Sequence, residues 1–264
     1  MSLDSRVRDG SQPGGRHHVA CLIVSVAVLL GLIVRLGFGL GYWIEKPLTH
    51  DEREYLALAT SVATGQGFRY PPPSPDAPET ERFGRAPVYP VFVAVVMGDT
   101  LTTVLQASPR PLKIAQSVVG TVGVLLVAVL AWRIGGPTTG ATAAVIAAIY
   151  PPLVWICAYV LSEALYSTLA LATLLMIDVV IRRTAAERTS GSAWMLFGAG
   201  VLGGITTLTR PVMLIFVALI GIWFVYRRVP RLASVWLLGA VLVIAPWTIR
   251  NTLEHGRLIL VASE

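Results

Sequence analysis

Long apolar runs, separated by short polar segments, dominate the chain from residue 19 onward. Several runs reach about 18 or more nearly uncharged residues, the length that a helix needs to cross a bilayer. The apolar residues are continuous and do not alternate with polar ones, so the pattern predicts membrane-spanning helices and not a β-barrel. The predicted spans are Val19–Leu40, Leu112–Trp132, Thr138–Cys157, Leu161–Ile181, Ser192–Leu208, Val212–Tyr226 and Leu232–Ile249.

The composition agrees with this pattern, because 55% of the residues are hydrophobic and only 14% are charged, against about 25% charged in soluble domains. We therefore expect an all-α fold, a transmembrane bundle of about seven spans. We expect a cytoplasmic tail (1–18), a transmembrane module (19–251) and an outer tail (252–264). The first outer loop, 41–111, is long and is predicted to carry short interfacial helices. The first span lacks a clear small-x-small cleavage site and is predicted to remain as a signal anchor.

Arginines cluster in every second connection between the predicted spans, and this sets the expected orientation. By the positive-inside rule the basic connections are cytoplasmic, which places the N-terminus inside and the long loop on the outer face of a plasma (inner) membrane. The arginines that carry this assignment are Arg6, Arg8, Arg16, Arg133, Arg182, Arg183, Arg188, Arg227, Arg228 and Arg231. The net charge of +6 thus reflects topology, and no nucleic-acid partner is expected. Cys21 and Cys157 fall near opposite faces and are predicted to be free thiols.

The long outer loop contains most of the candidate functional polar residues of the chain. Thr49 and Glu52 fit a capping box at the start of a short amphipathic helix, which Gly65 and Gly67 end. Asp51 lies in the first turn, where the helix dipole favours a carboxylate able to accept a proton or a cation. Pro87 suits the first position of a second short helix, whose residues Val88–Met97 are too few to cross the bilayer.

Several short motifs follow the first span in order. The loop opens with Asp51-Glu52 and Tyr55, continues with Gly65-Gln66-Gly67-Phe68, and then has Arg85-Ala86-Pro87-Val88-Tyr89-Pro90. Downstream lie Tyr150-Pro151-Pro152, Leu161-Ser162-Glu163, Leu208-Thr209-Arg210-Pro211 and Pro246-Trp247-Thr248-Ile249-Arg250-Asn251. This series resembles the GT-C glycosyltransferases over essentially the whole chain beyond the tail. Within them it looks most like the bacterial protein-mannosyltransferase-like and aminoarabinose-transferase-like group.

The resemblance implies an inverting transferase that takes a sugar from a polyprenyl-phosphate donor on the outer face of the membrane. The acceptor would be a glycan, a lipid or a protein, and Asp51 matches the family's loop carboxylate, which acts as base. A base of this kind removes the proton of an acceptor hydroxyl, and arginine suits the phosphate that leaves. The candidate catalytic residues are Asp51, Glu52 and Glu163, and the candidate substrate-binding residues are Tyr55, Arg85, Tyr89, Lys113, Arg210 and Arg250.

Several candidates also have a simpler explanation. Asp51 would be a helix-start carboxylate that only helps the cap, and Arg85 would anchor the loop at the level of the lipid headgroups. Glu52 is explained by the capping box, and Glu163 by an exposed turn. Arg210 and Arg250 lie at outer span ends and would ordinarily extend to the interface, as would Arg35 from within the first span. Asp178 is expected to pair with a neighbouring arginine, and His50 is interpreted as a polar loop residue. No metal site is predicted, although a bound Mg²⁺ or Mn²⁺ cofactor is left open.

Members of this family usually continue beyond the Pro-Trp-x-x-Arg-Asn motif with more spans and often an outer domain. We therefore expect this chain to correspond to the shared N-terminal module. It would be a fragment, a short protein that works with a partner chain, or a non-catalytic relative that binds a polyprenyl-phosphate lipid as an accessory subunit. A transporter is less favoured, because the chain shows no paired broken spans and no inverted repeat.

Overall fold

The structure, a computed structural model, describes residues 13–69, 85–102, 106–185 and 192–262. Within these ranges the protein is helical and contains no β-strand, apart from an isolated antiparallel bridge between Pro47 and Ala107. The all-α prediction is therefore confirmed. The α-helices are α1 (Pro13–Gly37), α2 (His50–Ala63), α3 (Val88–Met97), α4 (Arg110–Ile149), α5 (Pro151–Trp155), α6 (Glu163–Ala185), α7 (Ser192–Thr207), α8 (Met213–Tyr226) and α9 (Pro230–His255).

Four helical segments are long and apolar enough to cross a membrane by length and composition. They are His17–Tyr42, Arg110–Ile149, Glu163–Arg183 and Pro230–His255. Val88–Met97, Ala193–Thr207 and Met213–Tyr226 are shorter apolar helices. Many large apolar side chains of α1, α8 and α9 face outward, as expected for helices whose surroundings are lipid and not water.

The 40-residue helix α4 is a hairpin of two antiparallel arms, 110–135 and 137–149. Gly136 separates them with φ 85° and ψ −173°, a conformation that glycine tolerates because it has no Cβ. The arms lie so close that a Cβ at Gly140 would be 2.9 Å from the Ala128 carbonyl oxygen. Val124 and Ala144, one from each arm, share a buried cluster. The second and third apolar runs of the sequence are thus joined by a tight turn at Gly136.

Arg35 lies where α1 packs against both arms of α4. Its guanidinium donates hydrogen bonds to the carbonyl oxygens of Ala148 (3.1 Å) and Ala147 (3.2 Å), at the C-terminal end of the second arm. The residue is only 1% exposed, so the prediction that it extends to the membrane surface is wrong. The last carbonyls of a helix lack intrahelical donors and carry partial negative charge, and Arg35 satisfies both needs from the neighbouring helix.

Helices α7 and α9 run parallel and touch through glycine. A Cβ at Gly200 would lie 2.2 Å from the Trp236 carbonyl oxygen, and one at Gly239 would lie 2.4 Å from that of Phe197. Small residues at such positions allow two backbones in a membrane protein to approach closely. Trp236 is fully buried and its indole N–H donates to the Val217 carbonyl on α8 at 2.9 Å, which joins the third helix to the pair.

The helix ends gather at two opposite sides of the bundle. At one, which we call the basic end, lie Arg133, Arg182, Arg183, Arg227, Arg228 and Arg231. Asp178 accepts hydrogen bonds there from Arg133 and Arg182, so its predicted pairing with arginine is confirmed. At the other, the loop end, α2 and α3 cover the start of α4, the start of α6 and the ends of α7 and α9.

Both cysteines are free, as predicted. Cys21 is exposed beside Trp132 and Arg133 towards the basic end. Cys157 is buried close to Gly120 and Arg35 towards the loop end. This separation excludes a disulfide bond within the chain.

Replacing Gly200 by alanine should destabilise the bundle, because the added methyl group would collide with backbone atoms that cannot rotate away. We expect a loss of about 1–3 kcal/mol, and a lower unfolding temperature in detergent followed by tryptophan fluorescence. Gly198→Ala on the same helix is the matched control. Its methyl group would meet only the flexible end of Met176, at 3.4 Å. Equal stability of the two variants would contradict the packing described here.

Candidate functional site

Glu52 uses both carboxylate oxygens to join two parts of the chain. The capping box is present as predicted: Thr49 Oγ1 accepts from the Glu52 N–H at 3.4 Å, and Glu52 Oε2 accepts from the Thr49 N–H at 2.8 Å. In addition, Glu52 Oε1 accepts from the Val160 N–H at 2.8 Å. The side chain is 2% exposed. The structure therefore places Glu52 beneath the surface, where it connects α2 to the turn before α6.

Asp51 and Arg85 meet at the surface of the loop end. Arg85 Nη2 donates to Asp51 Oδ1 at 2.8 Å, and Nη2 and Nε donate to Glu54 Oε2 at 2.7 and 2.9 Å. The guanidinium also lies 5.2 Å from the centre of the Tyr55 ring. Asp51 keeps 52% of its side chain exposed. The two loop segments singled out in the sequence thus come together around one arginine.

Glu54 is the partner that the sequence analysis missed. Asp51 and Glu54 are three residues apart on α2, so they lie on the same face of the helix. This spacing, next to a predicted arginine motif, could have identified Glu54 in advance. Its side chain is 24% exposed and that of Arg85 is 18% exposed, so this pair is better shielded from solvent than the Asp51 carboxylate.

His50 joins Asp51 and Glu54 in a group whose ligand atoms all lie within 4.8 Å of one another. Its Nδ1 is 3.9 Å from Asp51 Oδ1 and 3.7 Å from Glu54 Oε1. Nitrogen and carboxylate ligands of this kind suit a divalent cation such as Mn²⁺. No metal site was predicted from the sequence, and this group of three residues was not recognised there. In the present arrangement Arg85 already supplies a positive charge to both carboxylates.

Two tyrosines connect the surface cluster to the interior. The Tyr55 and Tyr89 rings meet edge to face with centroids 4.7 Å apart. The Tyr55 hydroxyl lies 3.2 Å from Ser162 Oγ, to which it donates, and Tyr89 is fully buried. Of these two predicted substrate-binding residues, Tyr55 contacts Arg85 and Tyr89 supports Tyr55 from below.

Gln116 organises the buried side of this region, and no sequence motif pointed to it. Its Oε1 accepts from the Tyr89 hydroxyl at 2.7 Å, while its Nε2 donates to the carbonyl oxygens of Tyr159 (2.6 Å) and Cys157 (3.2 Å). The residue is 0% exposed. Burial raises the pKa of the Tyr159 hydroxyl, and the negative charge of the nearby Glu52 carboxylate raises this pKa further. Gln116 therefore fixes the 157–159 turn against α3 and α4.

Glu163 and Arg210 form a second pair at the loop end. Arg210 Nη1 lies 2.7 Å from Glu163 Oε1 and its guanidinium lies 5.9 Å from the centre of the Tyr166 ring. Glu163 Oε2 is buried without a hydrogen-bond partner among the described residues. Arg210 is two residues beyond Leu208, whose carbonyl oxygen accepts from the Val88 N–H at 3.0 Å. This backbone contact brings the Arg85 and Arg210 segments side by side.

The structure does not bring the other two candidate cations into this cluster through any described contact. Lys113 is 4% exposed and its ammonium group donates to the Trp43 carbonyl oxygen. Arg250 lies 2.6 Å from Glu254 Oε2 and also donates to the Phe68 carbonyl oxygen at 3.4 Å. Phe68, from the Gly-Gln-Gly-Phe motif, packs edge to face on Trp247 at 5.0 Å. Arg250 therefore lies where the long loop between α1 and α4 contacts α9.

Comparisons of the chain with protein-family models and with curated proteins gave no match. A half-exposed carboxylate lies against an arginine, with a second arginine–carboxylate pair on the adjoining segment. This arrangement can accept a proton and hold an anion in the same region.

Glu52 and Asp51 should respond differently to substitution, although they are neighbours in sequence. Glu52→Ala removes the cap and leaves the Val160 N–H buried without an acceptor, so we expect a loss of about 3 kcal/mol and faster proteolysis of the loop. Asp51→Asn removes a partly exposed ion pair, which contributes about 1 kcal/mol or less. Unfolding temperatures in detergent, measured side by side, test this. A larger loss for Asp51→Asn would show that the structural role is assigned to the wrong residue.

Proposed function

We propose that the protein is a membrane glycosyltransferase of GT-C type. It would move a sugar from a polyprenyl-phosphate donor to an acceptor on the outer face of the membrane. The observation that carries this proposal is the contact between Asp51 and Arg85. This contact joins two residues that are 34 positions apart in sequence. They are the carboxylate that the resemblance assigns as the base and the arginine that it assigns to phosphate binding. The adjoining Glu163–Arg210 pair adds a second cation to the same region.

In the proposed reaction Asp51 removes the proton of the acceptor hydroxyl as that oxygen attacks the anomeric carbon. The bond between this carbon and the phosphate oxygen breaks on the opposite face of the sugar, and the polyprenyl phosphate leaves with the electron pair. Configuration at the anomeric carbon is inverted. No proton donor of high acidity is needed for a phosphate leaving group, but its negative charge must be stabilised, and Arg85 and Arg210 suit that role.

Glu54 has a specific part in this scheme. Arg85 gives two of its three described side-chain hydrogen bonds to Glu54 and one to Asp51. When the guanidinium turns towards a phosphate, Glu54 can keep it in place while Asp51 is released to act as base. Arg85 is thus held near the reacting groups before the substrate binds, which reduces the entropy that must be lost on binding.

The membrane arrangement that fits this function has seven crossings, with the basic end in the cytoplasm and the loop end outside. Three features support it: the two antiparallel arms of α4, the parallel packing of α7 and α9 with α8 beside them, and the gathering of arginines at one end. Helices α7 and α8 have 16 and 14 residues. They would cross where the flanking arginines and aromatic residues reach the interfaces.

Replacing Asp51 by asparagine should abolish sugar transfer while the protein remains folded and inserted. Loss of a general base costs on the order of 10²–10⁴ in rate. The measurement is consumption of a polyprenyl-phosphate sugar by the purified chain, with unfolding temperature as the control for folding. Undiminished transfer by Asp51→Asn would remove Asp51 from the role of essential base. No consumption by the unaltered chain would instead favour an accessory subunit that binds the lipid carrier without turnover.

The arginines should act on donor binding. Arg85→Lys keeps the charge but loses the planar, forked geometry that contacts two phosphate oxygens, so we expect KM for the donor to rise on the order of tenfold. Arg210→Gln should have a similar effect. Arg53→Gln is the matched control, because Arg53 is an exposed arginine on the same helix as Asp51. Equal KM values for Arg85→Lys and Arg53→Gln would argue against phosphate binding by Arg85.

A further inference from the structure

Three arginines lie on the turn that joins α8 to α9 at the basic end. Arg227, Arg228 and Arg231 are all exposed. The acidic side chain that the structure describes at this end is Asp178, and arginines of α4 and α6 already occupy it. Among the described residues, the three turn arginines therefore have no carboxylate partner. The positive-inside rule accounts for their sign but not for the local geometry around them.

Arg228 occupies a backbone position that favours glycine. Its φ is 58°, in the left-handed region. The Arg228 N–H donates to the Val225 carbonyl oxygen at 2.9 Å and the Val229 N–H donates to that of Phe224 at 3.0 Å. This pair of bonds is the Schellman motif, in which the left-handed residue is usually glycine. An arginine at this position is conformationally disfavoured, which points to a role for its side chain.

A cleft of about 220 Å³ opens beside this turn. Arg227 lies at the cleft with its guanidinium 5.7 Å from the centre of the Trp223 ring. The rest of the lining is apolar and comes from the end of α6, the end of α8 and the start of α9. It consists of Val180, Ile181, Phe224, Val229 and Leu232. The site therefore combines an apolar trough with a cluster of positive charge on the neighbouring turn.

We propose that this cleft binds an anionic phospholipid. The headgroup phosphate contacts the turn arginines, and one acyl chain lies along the apolar wall formed by Ile181 and Leu232. Arginine is suited to phosphate because its forked donors reach two oxygens, and basic pockets between transmembrane helices are typical sites for anionic headgroups. A zwitterionic lipid is less favoured, since its ammonium group would lie among three positive charges. This site is at the opposite end of the bundle from Asp51 and does not depend on the proposed transferase activity.

The test is lipid binding by the purified full chain in a nonionic detergent, measured by native mass spectrometry. Dioleoyl phosphatidylglycerol is titrated in parallel with dioleoyl phosphatidylcholine. We expect preferential binding of phosphatidylglycerol. Arg227→Gln and Arg231→Gln should each weaken that binding about fivefold, which corresponds to about 1 kcal/mol per arginine near the phosphate. Binding of phosphatidylcholine should not change.

Arg228→Gly separates lipid binding from folding. Glycine fits the left-handed backbone, so this variant should unfold at a higher temperature than the unaltered chain and yet bind phosphatidylglycerol about fivefold more weakly. Arg53→Gln removes the same charge at the loop end and should leave the affinity unchanged. Equal affinity for the two lipids would overturn the proposal. So would full affinity in the turn variants, or an equal loss in Arg53→Gln, which would indicate attraction to net charge alone.

Discussion

The packing of the loop end depends on the hydrogen bonds that the buried Glu52 carboxylate accepts. This carboxylate closes the first turn of α2 and also accepts the Val160 N–H, 108 positions away. A buried acceptor of this kind satisfies donors that water cannot reach, so losing it leaves polar groups unpaired in a medium of low dielectric constant. With Gln116 on the other side of the 157–160 turn, it fixes where α2 lies. The position of Asp51, one residue before Glu52, follows from this attachment.

The apolar part of the protein is organised differently. Here the helices pack mainly by close approach of their backbones. This occurs at Gly140 between the two arms of α4, and at Gly200 and Gly239 between α7 and α9. Such contacts are tight and spread along the helices, which favours a rigid frame. Two buried polar groups add to this frame. The Trp236 indole donates to the Val217 carbonyl on α8. Arg35 satisfies the C-terminal carbonyls of the second arm, so that this arm can end inside the protein before the Pro151–Trp155 helix begins.

Local features of the sequence predicted local features of the structure. The capping box was found because its two residues, Thr49 and Glu52, lie only three positions apart. Gln116 and Arg35 could not be assigned in this way, since their partners lie on other helices and an amide or a guanidinium within an apolar run gives no indication of which carbonyls surround it. Glu54 lies between these two cases. Its spacing from Asp51 can be seen in the sequence, but its hydrogen bonds with Arg85 depend on how the two loop segments fold together.

The two ends of the bundle differ in the partners of their arginine side chains. At the loop end, Arg85 and Arg210 each lie against a carboxylate. A guanidinium held in this way costs less to order around an incoming phosphate, and the released carboxylate is then available as a base. At the basic end, the exposed arginines of the 227–231 turn face no described carboxylate, so a bound phosphate would gain charge neutralisation without displacing a protein group. In the two functions proposed, the arginines paired with carboxylates would hold a substrate that leaves after each reaction, and the turn arginines, which have no carboxylate partner among the described residues, would hold a lipid that stays bound.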